Sequence, residues 1–280
     1  MGNSINISGY LGRKARYIEP PVGSCDADAQ TFITAAGITD ATQIAALCQL
    51  VVDLKAGGVW NDLNALYPFV GGTATTHSYN LKNPVLYQIA WFGGVTHNTN
   101  GATFNGINSY GNTGYNESLI ETSSNTHRSV YDRSTLADSR CQIGVANGPY
   151  NGSYQRNYIY TNYSSNYYMD CYDNLDNYGR LTGANGGSNA FWLHSRTSSA
   201  SGAMKAYKNG VFLKQSTQTV YGIQPILVTY IGALNLNGSL HEPTFHNLAS
   251  ASMGNGLSAA QITAYYTALQ TFQTTLGRQV

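Results

Sequence analysis

The dipeptide Asn209-Gly210 constrains this chain more than any other feature, because it stands between two short alternating runs, residues 204–208 and residues 211–215. A two-residue type I′ turn needs positive φ at both central positions, and Asn followed by Gly tolerates that best, so the spacing predicts a β-hairpin. Residues 191–196 alternate apolar and polar ahead of it. Residues 226–232, rich in Ile, Val and Tyr, suit the middle of a sheet. Residues 191–232 therefore read as a run of antiparallel strands.

The same texture extends over residues 69–256, which are dense in β-branched and aromatic side chains and broken often by Gly, Asn and Pro. Further strands are predicted at 79–81, 103–110, 129–132, 141–146, 158–163, 167–172 and 179–182. Residues 245–253 form the last strand, beside an early one. Helices flank this region. Residues 26–36 carry acidic side chains in their first turn and Gly37 just past their end. Asp40 and Gln43 are spaced as a variant capping box, ahead of Ile44, Leu47, Cys48, Val51 and Leu54 at helical intervals. Trp60, Leu63, Leu66 and Tyr67 read as one more apolar turn before Pro68. Ser258 and Gln261 form a capping box that opens a helix over 258–276, with Ile262, Tyr265, Tyr266, Leu269, Phe272 and Leu276 on one face. The domain reading is an N-terminal arm (1–23), a helical cap or linker (24–68) and one large β-domain ending in a helix (69–280).

The arm has no sustained period, but Ile5, Ile7, Tyr10, Leu11 and Tyr17 supply enough apolar surface to dock on a neighbouring subunit; a flexible tail is the alternative. Charged residues make up 10% of the 280 and the net charge is +1. Nothing in that balance steers the chain to nucleic acid or an acidic membrane. No apolar run reaches the ~18 residues of a span, and no basic segment followed by an apolar stretch opens the chain. The expectation is a protein made in a cytoplasm with no visible export signal and no membrane insertion. Cys25, Cys48, Cys141 and Cys171 show no C-x-x-C spacing, so buried or free thiols are expected over a disulfide or zinc framework.

The order of elements resembles the laminin-G or concanavalin A-like jelly roll. The likeness is carried by Ala206-Tyr207-Lys208-Asn209-Gly210, by Tyr230-Ile231-Gly232, and by Phe104-Asn105-Gly106 leading to Tyr110. It implies a mainly β, concanavalin A-like (LamG-type) β-sandwich with short N-terminal helices and one C-terminal helix. Residues 59–69 and 254–280 resemble a group of tailed-bacteriophage virion proteins in which a helical segment precedes such a domain. With the sandwich motifs, this likeness spans residues 26–280. It implies a non-enzymatic structural or adhesive part of a phage particle, a decoration, fibre or adhesin module. The protein would be assembled in the host cytoplasm and would contact other virion proteins and further copies of itself. A lectin-like module binding a host-surface glycan is the alternative.

Concanavalin A-like folds include glycosidases, which need paired carboxylates. In the laminarinase-like branch two Glu flank an Asp two residues away on either side. Glu117 and Glu121 match the outer pair, but Leu119 stands where the Asp belongs. They read as surface polar residues, and no catalytic residue is assigned. His241 and His246 are five apart with Pro243 between them, which is not the helical spacing of a zincin. The other histidines read as surface or turn positions. Asp170, Asp173 and Asp176 offer hard oxygen ligands for calcium, which many laminin-G-like domains hold at a sheet rim; a turn rich in Asx hydrogen bonds is the competing reading. Tyrosines cluster between 150 and 178. Tyr158 and Tyr160, and Tyr168 and Tyr172, share strand faces by period two, and with Tyr163 they are the candidate sugar-contact residues. A subunit interface and ordinary sheet packing would use the same side chains.

Overall fold

The computed structural model describes residues 25–148, 155–172, 179–220 and 224–280, and in it two largely antiparallel sheets stack as a β-sandwich. Strands are numbered β1–β17 along the chain. The first sheet runs in the order β13 (Val211–Gln215), β12 (Met204–Lys208), β11 (Ala190–Arg196), β6 (Thr126–Asp132), β17 (Asn247–Gly254), β4 (Gly101–Thr103) and β3 (Thr96–Asn98). β1 (Leu63–Tyr67) also pairs with β17. The second runs β10 (Leu181–Ala184), β9 (Asn166–Cys171), β8 (Gln155–Tyr163), β7 (Ile143–Asn147), β14 (Val228–Ile231), β5 (Tyr110–Asn116) and β2 (Ala90–Phe92). A hairpin of β15 (Leu234–Leu236) and β16 (Ser239–His241) attaches to β7, with β15 parallel to it.

Register explains the core. Ile231, Ile143, Ile159, Met169 and Leu181 stand opposite one another strand by strand and form one inward row of the second sheet. They meet Val130, Trp192, Met204, Ala206 and Leu248 from the first sheet. Tyr131, Phe191, Leu193 and Tyr207 point the other way, under α1 (Ala27–Ala36), α2 (Ala41–Ala56) and α4 (Ala259–Thr275), while α3 (Ala74–Ser78) is a single short turn elsewhere. The described residues thus form three layers, with their helices over one outer face. Caps fall where the sequence places them: Asp40 accepts from the Gln43 N–H at 2.8 Å, and Ser258 and Gln261 close a full capping box. Gln43 itself reaches across to the Gly71 N–H, so its half of the first box is not made. Asn209 and Gly210 adopt φ of 50° and 73°, as the hairpin requires.

Several expectations are corrected. Residues 60–67 are not a helical turn; after the short 3₁₀ turn Trp60–Asp62 the chain becomes β1, because its backbone completes the edge of β17. Residues 79–81 are not a strand. The segment 103–110 breaks into β4, a loop and β5. The Asn105 carboxamide oxygen there accepts from the backbone N–H groups of Ile107, Asn108 and Ser109, an Asx-type turn that outcompetes the ladder. Histidines 77, 127, 194 and 246 are buried, against the expectation of surface positions. His246 donates to Asp132 at 2.7 Å and faces Asp138.

Cys141 is a buried free thiol, as expected, and Cys171 is buried too, but Cys25 and Cys48 form a disulfide with Cα atoms 5.1 Å apart. The pairing depends on helix packing invisible to local spacing. Lys55 near the end of α2 holds Asp26 and Asp28 at the start of α1, at 2.8 and 2.6 Å, and this lays Cys25 against α2. Closing a loop of 23 residues restricts the unfolded chain by about 3 kcal/mol. Cys48→Ser is therefore expected to lower the melting temperature by several degrees, and a reductant to lower that of the wild type but not of the variant; equal melting of reduced and oxidised protein would refute this.

Candidate functional site

β8 and β9 run side by side with Tyr158 opposite Asp170 and Tyr160 opposite Tyr168. Opposed residues share a face, and since Ile159 and Met169 between them fill the core, these four point outward. The connecting turn places Ser164 and Ser165 at positive φ and brings Tyr163 back beside Tyr168, ring centroids 5.0 Å apart. Tyr158 and Tyr160 meet edge to face at 4.9 Å, and Tyr160 and Tyr163 at 5.9 Å. The rings form a corner.

The β15–β16 hairpin is the opposite wall, contributing Leu234, Leu236, His241 and then Glu242. The walls approach over Gly144 of β7, where a Cβ would lie 2.7 Å from Tyr158 Cβ and 2.8 Å from Cys141 Sγ; only glycine fits that floor. Between the walls lies an open cleft of about 300 Å³, reached also by Arg156 and Arg180. Arg180 donates through Nε to Asp170 at 2.9 Å and through Nη2 to the Tyr158 hydroxyl at 2.6 Å, and its guanidinium lies 5.3 Å from the Tyr168 ring. Arg156 stands 3.7 Å from the same carboxylate. Tyr160 donates its hydroxyl to Glu242. Burial holds the Tyr158 and Tyr160 phenols well above their ordinary range, so at neutral pH both are hydrogen-bond donors and neither is a phenolate nucleophile.

Four of the five candidate tyrosines, Tyr158, Tyr160, Tyr163 and Tyr168, thus share one cleft. Tyr172 does not. β9 ends at Cys171 and Tyr172 takes φ of 59°, which breaks the alternation and turns its ring into the sandwich, where its hydroxyl meets Asn157 and Glu121. Asp170 is buried and is the counter-charge for two arginines. Asp173 and Asp176, like Tyr150, Tyr154, Tyr178 and the arm residues Ile5, Ile7, Tyr10, Leu11 and Tyr17, lie outside the described residues. Among the described residues no three His, Cys, Asp or Glu side chains gather as a metal site. Arg156, Arg180 and Glu242 join the tyrosines only through tertiary structure. The one sequence signal for Glu242 is its rarity, as one of four glutamates in a chain poor in charge.

Glu117 and Glu121 are not surface residues. Both are buried between the sheets around the Arg128 guanidinium, which reaches Glu121 at 3.0 Å and also holds Glu117. Tyr115, Thr126 and Tyr172 donate to Glu121, and Asn157 donates to Glu117. Two carboxylates share this dry interior, and each makes it harder for the other to hold its charge. Burial foremost, with the Glu121 charge beside it, pushes Glu117 up to about 8 against the pull of Arg128. A folded value above the unfolded one adds stability at low pH and loses it as pH rises through about 8. The melting temperature should fall by several degrees between pH 6 and pH 9, and Glu117→Gln should flatten that slope; a variant with the wild-type slope would show that another group is responsible.

No protein-family model matches this chain, and no curated protein matches it. Among solved structures, a mutant Trypanosoma rangeli sialidase displaying trans-sialidase activity aligns over 82% of this chain and 39% of its own, at 8% identity and a TM-score of 0.50. T. rangeli sialidase in complex with sialic acid aligns over 74% of this chain and 33% of its own, at 9% identity and a TM-score of 0.50. NanB sialidase from Streptococcus pneumoniae (the K499G mutant) aligns over 61% of this chain at 14% identity and a TM-score of 0.40, and the alignment spans about a quarter of that protein (27%). At such identities the likeness is one of fold, and the chain is a mainly β sandwich carrying short N-terminal helices and one C-terminal helix.

Proposed function

We propose that this protein is a non-enzymatic contact module that binds carbohydrate in the tyrosine-lined cleft and is displayed on the surface of a tailed-phage particle. The observation that carries the reading is the cleft itself: four tyrosines facing a wall of Leu234, Leu236, His241 and Glu242, on the sandwich face away from the described helices. Pyranose rings offer apolar faces to aromatic rings, and their hydroxyls need fixed donors and acceptors such as the tyrosine hydroxyls and Glu242. A cleft of about 300 Å³ sits at the small end of ligand sites and has room for one or two sugar rings. The remaining glutamate pair, Glu117 and Glu121, is enclosed between the sheets, which supports binding over hydrolysis.

The setting on a particle rests on the two segments that resemble phage proteins, and these are neighbours in space. Leu63 pairs with Gly254, and the Gln261 carboxamide donates to Asp62 at 2.7 Å and to the Gly58 carbonyl at 2.8 Å. The Cys25–Cys48 disulfide suits a protein that works outside a reducing cytoplasm. The arm over residues 1–23 is the docking element toward other virion proteins.

On a glycan array, Tyr160→Ala and Tyr168→Ala are expected to weaken binding at least ~10-fold, about 1.4 kcal/mol, without lowering the melting temperature in proportion. Absence of any glycan binding by the wild type would remove the cleft from the function. Deleting residues 1–22 is expected to abolish incorporation into particles, measured by mass spectrometry of purified virions; normal incorporation would count against the arm.

A further inference from the structure

Building on the sugar-binding reading above, we infer that the cleft selects neutral, hydroxyl-rich sugars over anionic ones, with Glu242 as the specificity-determining acceptor. On composition alone the two arginines at the cleft suggest the opposite preference, but their geometry argues against it. Arg180 and Arg156 both turn onto Asp170, whose side chain is 1% exposed. Drawing Arg180 away toward a ligand anion would take the nearer cation from a buried carboxylate, leaving only Arg156 at 3.7 Å, and break the bond to Tyr158, and weakening a buried ion pair on one side is costly. The arginines therefore brace the tyrosine rings.

Glu242, on the facing wall, is placed differently. Its carboxylate accepts from Tyr160 and lines the open cleft, where it can take the hydroxyls of a sugar in charge-assisted hydrogen bonds. An acidic sugar would meet it as a like charge. The backbone gives an independent indication. Glu242 adopts φ of 46°, a left-handed conformation disfavoured for a side chain of this kind, and it is held there by the bond from the Cys141 N–H to its carbonyl and by the bridge between Cys141 and Pro243. Strain of this sort persists where the surrounding structure imposes it, and it concentrates at binding sites. The strain aims the carboxylate into the cleft.

The test compares matched neutral and acidic glycans on the full chain: lactose against sialyllactose, and galactotriose against trigalacturonate, within a wider array of both kinds. The expected result is at least tenfold preference for neutral members, and at least tenfold loss of neutral binding in Glu242→Gln. Glu242→Gly should lose binding yet melt no lower than Glu242→Gln, because glycine relieves the left-handed backbone. Equal or tighter binding of acidic glycans by the wild type overturns this inference and leaves the sugar-binding reading standing. No binding of any glycan overturns both. Because the wild-type preference is itself decisive, the result does not depend on either variant folding.

Discussion

Among the described residues, helices cover one of the two outer faces of the sandwich, and most of the organisation seen there follows from that asymmetry. The first sheet lies between the helical layer and the second sheet, so β6 and β11 are buried at every position. Their apolar residues alternate between two cores, Tyr131, Phe191 and Leu193 toward the helices, Val130 and Trp192 toward the sandwich interior. The second sheet has one face in the interior and one in solvent. Its outward residues are left to carry function, and on β8 and β9 these include Tyr158, Tyr160 and Tyr168 beside Arg156 and Asp170.

A sheet buried on both faces has to satisfy its polar side chains internally. β6 shows how this is done: Arg128 is met by Glu117 and Glu121, His127 by Ser252 and a carbonyl, and Asp132 by His246 and Thr161. Such networks are stable only when nearly every member has a partner, since a buried charge without one costs more than the pair returns. The glutamates that match the outer pair of a laminarinase-like triplet thus pack around a buried arginine. The same logic explains Asp170, which reads as a metal ligand by composition and serves as the anchor of Arg180 beside the cleft.

Features written in neighbouring residues were legible. The turn at Asn209-Gly210, the caps at Asp40 and Ser258, the strand at 191–196 and the outward alternation of Tyr158, Tyr160 and Tyr168 each depend on local backbone geometry or on a period of two or 3.6. Where alternation was extended one step past the end of β9 it failed, because the left-handed residue Tyr172 reverses the side-chain direction. Asn105 likewise replaced a ladder by its own turn.

What the sequence alone determined is the mainly β character, the hairpin at the centre, the helix ends and which tyrosines leave the sheet together, because these are set by contacts among residues a few positions apart. Only the tertiary structure decided that Cys25 joins Cys48, that Glu117 and Glu121 close around Arg128 inside, and that Glu242 faces Tyr160 across a cleft 82 residues apart in the chain. Those pairings come from the packing of separate elements, and the energy that selects them, burial of apolar faces and neutralisation of buried charge, leaves no periodic mark along the chain.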